Sequence, residues 1–70
     1  MDLMTILPLV MKGVQIVEYF LESDNAALAT RAWDAIQKIV RPPEDVSQAD
    51  LDILETTLDS LLDEFNEALN

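Results

Sequence analysis

The chain contains no cysteine and no histidine. That removes disulfide frameworks, thiolate and imidazole metal sites, cysteine or triad nucleophiles and histidine pH switches from consideration. Glycine occurs once, at Gly13 in an apolar helical context, so there is no glycine-rich loop to cradle a phosphate. Positive charge is scarce as well: Lys12, Arg31, Lys38 and Arg41 face fourteen acidic residues, for a net charge of −10. Binding to nucleic acid or to anionic lipid needs a basic footprint, and this field has the opposite sign. No cofactor is implied.

An uninterrupted hydrophobic run is also missing. Leu3 to Leu21 is broken by Lys12, Gln15 and Glu18. On insertion scales a central Lys costs about 2.5–3.5 kcal/mol while each Leu or Ile returns about 0.3–0.6, so a membrane span is not expected. Nor is a signal peptide, since Asp2 stands where basic residues would be needed and no small-residue cleavage site follows.

What the chain does have is apolar surface, which makes up half of its 70 residues. A body of this size forms a single small domain and buries only about 60% of the surface its unfolded chain exposes. Apolar surface is therefore left over, and a homo-oligomer or a protein partner is expected to cover it.

The periodicity predicts an all-α fold: helices at about 3–22, 25–40 and 48–69, with a loop at 41–47. In the first, Leu3, Ile6, Leu7, Leu9, Val10, Val14, Ile16, Val17, Phe20 and Leu21 cover more than half the helical wheel, which suggests contact on two sides. Pro8 lacks an N–H, so Thr5 is the expected N-cap, with a kinked helix starting at Asp2 as the alternative. The polar break Glu22–Asn25 is short enough to fold helices one and two into an antiparallel hairpin, with Ser23 or Asp24 capping the second. That second helix is expected to bury Leu28, Ala29, Ala32, Trp33, Ala35, Ile36, Ile39 and Val40 and to carry an Asp34–Lys38 pair on its outside. A lone Trp such as Trp33 is more often core than partner anchor.

Pro42 and Pro43 end the second helix. The third restarts at Ser47, an N-cap candidate with Asp50 at the N3 position of a capping box, and Val46 and Leu51 occupy the positions of a hydrophobic staple. Leu51, Leu54, Leu58, Leu61, Phe65 and Ala68 then recur every three or four residues, widened by Leu62 and Leu69. Ile53 falls on the polar side, as an isolated exposed residue or part of a second contact surface.

Residues 42–70 carry nine acids and no base. Asp52, Glu55, Asp59, Asp63 and Glu67 form a stripe away from the seam. Each neighbouring like pair opposes an isolated helix by about 0.2–0.5 kcal/mol, and acids in the last turns meet the negative end of the helix dipole. A solvated face that keeps the chain soluble is the ordinary reading of such a stripe, and a basic partner surface is the sharper one. Calcium or magnesium would require a loop that cages the ion, which helical carboxylates four apart do not supply. Two-carboxylate acid/base catalysis would need a cleft that this pattern does not predict, so the chain reads as non-enzymatic with no catalytic or metal residues.

The run Val46–Glu55, continuing through Leu58–Asn66 and paired with an apolar N-terminal helix, resembles small acidic all-α accessory proteins encoded among tailed-bacteriophage structural genes. The resemblance is one of pattern and length. It implies a minor virion component, a capsid or tail accessory subunit found in the virion or host cytoplasm, and it transfers no functional residue. The expected interface is the seam Leu54, Leu58, Leu61 and Phe65 with Leu9, Ile16 and Phe20 of the first helix. The competing expectation is an acidic inhibitor, antitoxin or nucleic-acid mimic that uses Asp52, Glu55, Asp59, Asp63 and Glu67 to cover a basic surface.

Overall fold

The computed structural model describes residues 2–69. Within them the chain forms α1 (Leu3–Glu22), α2 (Ala26–Gln37), a short 3-10 turn (Pro43–Asp45) and α3 (Gln48–Leu69), with no strand among the described residues. The all-α class therefore stands, and the body is elongated, 40 × 18 × 16 Å.

Asp2, and not Thr5, caps α1: its carboxylate accepts from the Met4 N–H at 3.3 Å. Pro8 consequently lies inside the helix, beyond the first turn, where its missing N–H leaves the Met4 carbonyl without its usual helical donor. Met4 is 73% exposed, so water can satisfy that carbonyl.

The α1–α2 turn is built on Asp24, which has φ 58, the left-handed region that usually selects glycine. The Asn25 N–H donates to the Phe20 carbonyl at 2.8 Å and the Asp24 N–H to the Leu21 carbonyl at 3.1 Å, a Schellman closure of α1. Asn25 then caps α2 by accepting from the Leu28 N–H at 3.1 Å. The expected caps Ser23 and Asp24 are both used up in ending α1.

Helix α2 stops at Gln37, three residues before the expected end. Ile39 and Val40 donate to Ile36 and Gln37, tightening the last turn to i→i−3 bonds as the chain approaches Pro42. The tightening turns Ile39 into the core and Val40 out of it, leaving Val40 68% exposed where burial was expected.

The start of α3 forms as its sequence specifies. The Ser47 N–H donates to Asp50 Oδ2 at 2.9 Å and the Asp50 N–H donates to Ser47 Oγ at 3.3 Å, while Val46 and Leu51 are both buried. Arg41 adds a charged contact to the same Asp50 oxygen.

The three helices close over Ile16, Phe20, Leu28, Ala29, Ala32, Ile36, Leu54, Leu58, Leu61 and Phe65. Gly13 permits the close approach of α1 and α2: a Cβ there would stand 2.8 Å from both Cδ1 and Cγ1 of Ile36. At the other end of the core, Phe65 meets Tyr19 edge-on at a centroid distance of 5.1 Å and Phe20 at 5.4 Å.

Candidate interaction surfaces

The apolar seam of α3 is consumed by the chain's own core. Leu54, Leu58, Leu61 and Phe65, expected as an interface, are 0–5% exposed, and Ile16 and Phe20 are buried beside them, with Leu9 half-buried. An a/d repeat on one helix reports that something packs there, and here α1 and α2 are what packs. Ala68 and Leu69, which the periodicity counts in the seam, are exposed.

The exposed apolar surface lies mainly on α1. Leu3, Met4, Leu7 and Met11 are 45–73% exposed. At 100° per residue these four fall within one arc, continued by the half-buried Val10 and Val14 and by the exposed Leu21. The opposite arc carries Ile6, Gly13, Ile16 and Phe20 into the core. Helix α1 thus has two apolar faces, one filled and one open, as its broad pattern indicates. By length and composition it could also cross a membrane, with a mean hydropathy of 1.4 over its best window, 22% of which is buried.

The polar break between the faces is held by Lys12, whose Nζ lies 3.5 Å from Asp59 of α3. Trp33, expected in the core, is 45% exposed at the edge of α2. Ala29, Ala32 and Ile36 take the centre of that helix's buried face, which leaves no depth for an indole.

The acidic stripe of α3 is on the surface throughout. Its members are not equivalent. Asp52 accepts from Gln48 Nε2 at 3.0 Å and Asp59 faces Lys12, whereas Glu55, Asp63 and Glu67 have no ion pair among the described residues. Arg31 bonds to Glu64, outside the stripe, at 3.0 Å. The expected Asp34–Lys38 pair is not formed; both side chains instead line a groove between α2 and α3.

Asp50 is the carboxyl with a distinct electrostatic environment. The backbone N–H of Ser47 holds it below its ordinary value, aided by the Ser47 hydroxyl and Arg41 and opposed by partial desolvation. Among the described residues no group of three or more acidic side chains is placed to share a metal ion, and no buried side-chain polar atom lacks a partner. No family model, no curated protein and no solved structure matches this chain.

Proposed function

We propose that the chain is a non-enzymatic helical subunit that works by helix–helix association, with the outward face of α1 as its docking element and a second copy as the occupant. The observation that carries this reading is the open stripe Leu3, Met4, Leu7 and Met11 on a helix whose other face is already filled. Charge favours self-pairing through α1 over self-pairing through α3. From Leu3 to Leu21 the charged residues are Lys12 and Glu18, so the open face of α1 brings one acid to the contact, at its C-terminal end, while two α3 helices would set stripe against stripe. Leu7 and Met11, each about half exposed, gain about 1 kcal/mol apiece on burial, half the value for a fully buried side chain.

The antiparallel arrangement belongs to the same proposal. Gly13 against Ile36, with the tight turn at Ser23–Asn25, supports a hairpin of α1 and α2, and the pairs Arg31–Glu64 and Arg41–Asp50 support an α3 that runs back along α2. The helix pattern and length shared with small acidic phage accessory proteins support placing such a subunit in a virion, where symmetry repeats a weak contact many times. A second reading, an acidic cover for a basic protein surface, is favoured by Glu55, Asp63 and Glu67, which are exposed and without ion pairs among the described residues.

Sedimentation velocity at micromolar concentration separates these readings. The parent should sediment as a dimer or larger species and the Leu7→Glu, Met11→Glu double variant as a folded monomer. A parent that is monomeric at those concentrations overturns self-association. If the parent instead partitions into neutral lipid vesicles and the double variant does not, the open face of α1 is a membrane contact.

A further inference from the structure

Methionine carries all of this chain's sulfur, at Met1, Met4 and Met11, because cysteine is absent. No thiol competes for an oxidant. Met4 is 73% exposed and Met11 53%, and their seven-residue spacing is about two turns of helix, so both thioethers stand on nearly the same line of α1. Leu3 and Leu7 flank that line on the open face. The core, by contrast, is built from Ile, Leu, Val, Ala and Phe, and among the described residues no methionine belongs to it. The thioethers are therefore kept out of the packing that holds the fold and concentrated on the surface where association is proposed.

Oxidation to the sulfoxide turns a flexible apolar side chain into a polar one, which disrupts a core when the methionine is buried there. Here it would leave every core contact intact and set an acceptor oxygen in the middle of the open stripe. That oxygen finds no donor in an apolar contact: the neighbouring side chains on the face are Leu3 and Leu7, and Lys12, the only base on α1, is turned to Asp59 of α3. A sulfoxide that gives up its water on association is left unpaired, which opposes association. A contact between two copies repeats each change, so two sulfoxides per chain place four at one interface.

We propose that Met4 and Met11 form a peroxide-sensitive modification site that converts the α1 face from an associating to a non-associating form, an inference that rests on the self-association reading above. In the reaction the sulfur lone pair attacks one peroxide oxygen, so that an S–O bond forms as the O–O bond breaks. With hydrogen peroxide, the proton left on the transferred oxygen passes to the departing hydroxide, which leaves as water. Sulfur gives up two electrons and the peroxide gains them. A methionine sulfoxide reductase reverses the change, a dithiol supplying the two electrons and the oxygen leaving as water. Association covers both thioethers, so the free chain is oxidised and the associated chain is protected.

The test treats the full chain with hydrogen peroxide until peptide mass spectrometry shows one added oxygen on each of Met4 and Met11. Treated and untreated chains are then compared by sedimentation velocity and far-ultraviolet circular dichroism. Oxidation should weaken self-association at least about tenfold while the helical spectrum is retained, and reductases specific for the two sulfoxide epimers should together restore the original dissociation constant. Oxidation at Met4 and Met11 should also slow once the chain concentration exceeds that constant. In the Met4→Leu, Met11→Leu variant, peroxide should leave the variant's own dissociation constant where it stood, which separates the effect from oxidation of Met1 or Trp33. Equal association before and after complete oxidation overturns the switch and leaves the docking face standing. Loss of the helical spectrum on oxidation, or a peroxide effect that persists in the double variant, also overturns the switch. An untreated chain that stays monomeric overturns the docking face and the switch with it.

Discussion

Substituting Gly13 by Ala sets two effects of known size against each other. Glycine inside a helix is disfavoured relative to alanine by about 1 kcal/mol, so on helix propensity alone the change stabilises. The new methyl, however, would stand 2.8 Å from both Cδ1 and Cγ1 of Ile36 and 3.6 Å from Cδ1 of Leu58. Rotation about χ2 can move Cδ1 away, but Cγ1 moves only with χ1, which in a β-branched residue on a helix is held in one rotamer about 90% of the time. Ile36 is 2% exposed, so the neighbouring core cannot yield easily either. Overpacking of this kind costs about 1–3 kcal/mol, and the balance is a net loss of about 1 kcal/mol. In a domain this small that lowers Tm by about 4–8 °C. Urea unfolding followed by far-ultraviolet circular dichroism reads the change as a lower midpoint at unaltered slope, and it should be run at two protein concentrations because self-association would add to stability. A double-mutant cycle with Ile36→Ala isolates the contact. Truncation of Ile36 alone should cost about 2–5 kcal/mol and should cost less when Ala occupies position 13, with a coupling of at least about 0.5 kcal/mol. A Gly13→Ala chain as stable as the parent, or strict additivity in the cycle, would mean that Ile36 yields to the new methyl at no cost.

Three further outcomes follow from named contacts. Asp24→Gly removes a left-handed, non-glycine residue from the Schellman turn and should stabilise by about 0.5–1 kcal/mol, measured by the same urea titration; Asp24→Ala, which keeps the strain and loses the polar side chain, should not. Asp50 is held below its ordinary value of 3.8, so its carboxylate contributes stability above that pH and loses it as the pH falls through the lower folded value. The stability gap between parent and Asp50→Asn should therefore be flat near neutrality and shrink below pH 3.8, and a gap that widens in acid would contradict the cap and ion-pair assignment. Replacing Asp63 and Glu67 by Asn and Gln relieves two like-charge i,i+4 pairs, Asp59–Asp63 and Asp63–Glu67, and the unfavourable dipole interaction of Glu67 in the last turn, and should raise stability by about 1 kcal/mol at low salt and less at high salt.

Much of the local architecture was legible from residues three or four apart. The capping box of Ser47 and Asp50 and the Val46–Leu51 staple are written in neighbouring positions and form as read, while the periodicities place the three helices but overrun the end of α2 by three residues. The errors arose where two local rules competed. Asp24, Ser23 and Asn25 are all good caps, and the choice among them was decided by which carbonyls at the end of α1 needed donors. For α1 the alternative start holds: Asp2 caps the helix in place of Thr5 and leaves Pro8 inside it.

Residue order alone was enough to read the helical class, the start of α3, the two apolar sides of α1, and the want of thiol, imidazole and glycine-loop chemistry in these 70 residues. These follow from residue identity and short-range hydrogen bonding, which depend little on the rest of the chain. Which apolar face was filled and which stayed open depended on how the three helices packed. Periodicity shows that a face packs but carries no information about its partner, so the α3 seam closed on α1 and α2 while Leu3, Met4, Leu7 and Met11 were left outside. The same packing brought Arg31 of α2, and Lys38 and Arg41 of the segment after it, to one groove with Ile53 of α3, a juxtaposition that spacing along one helix could not express.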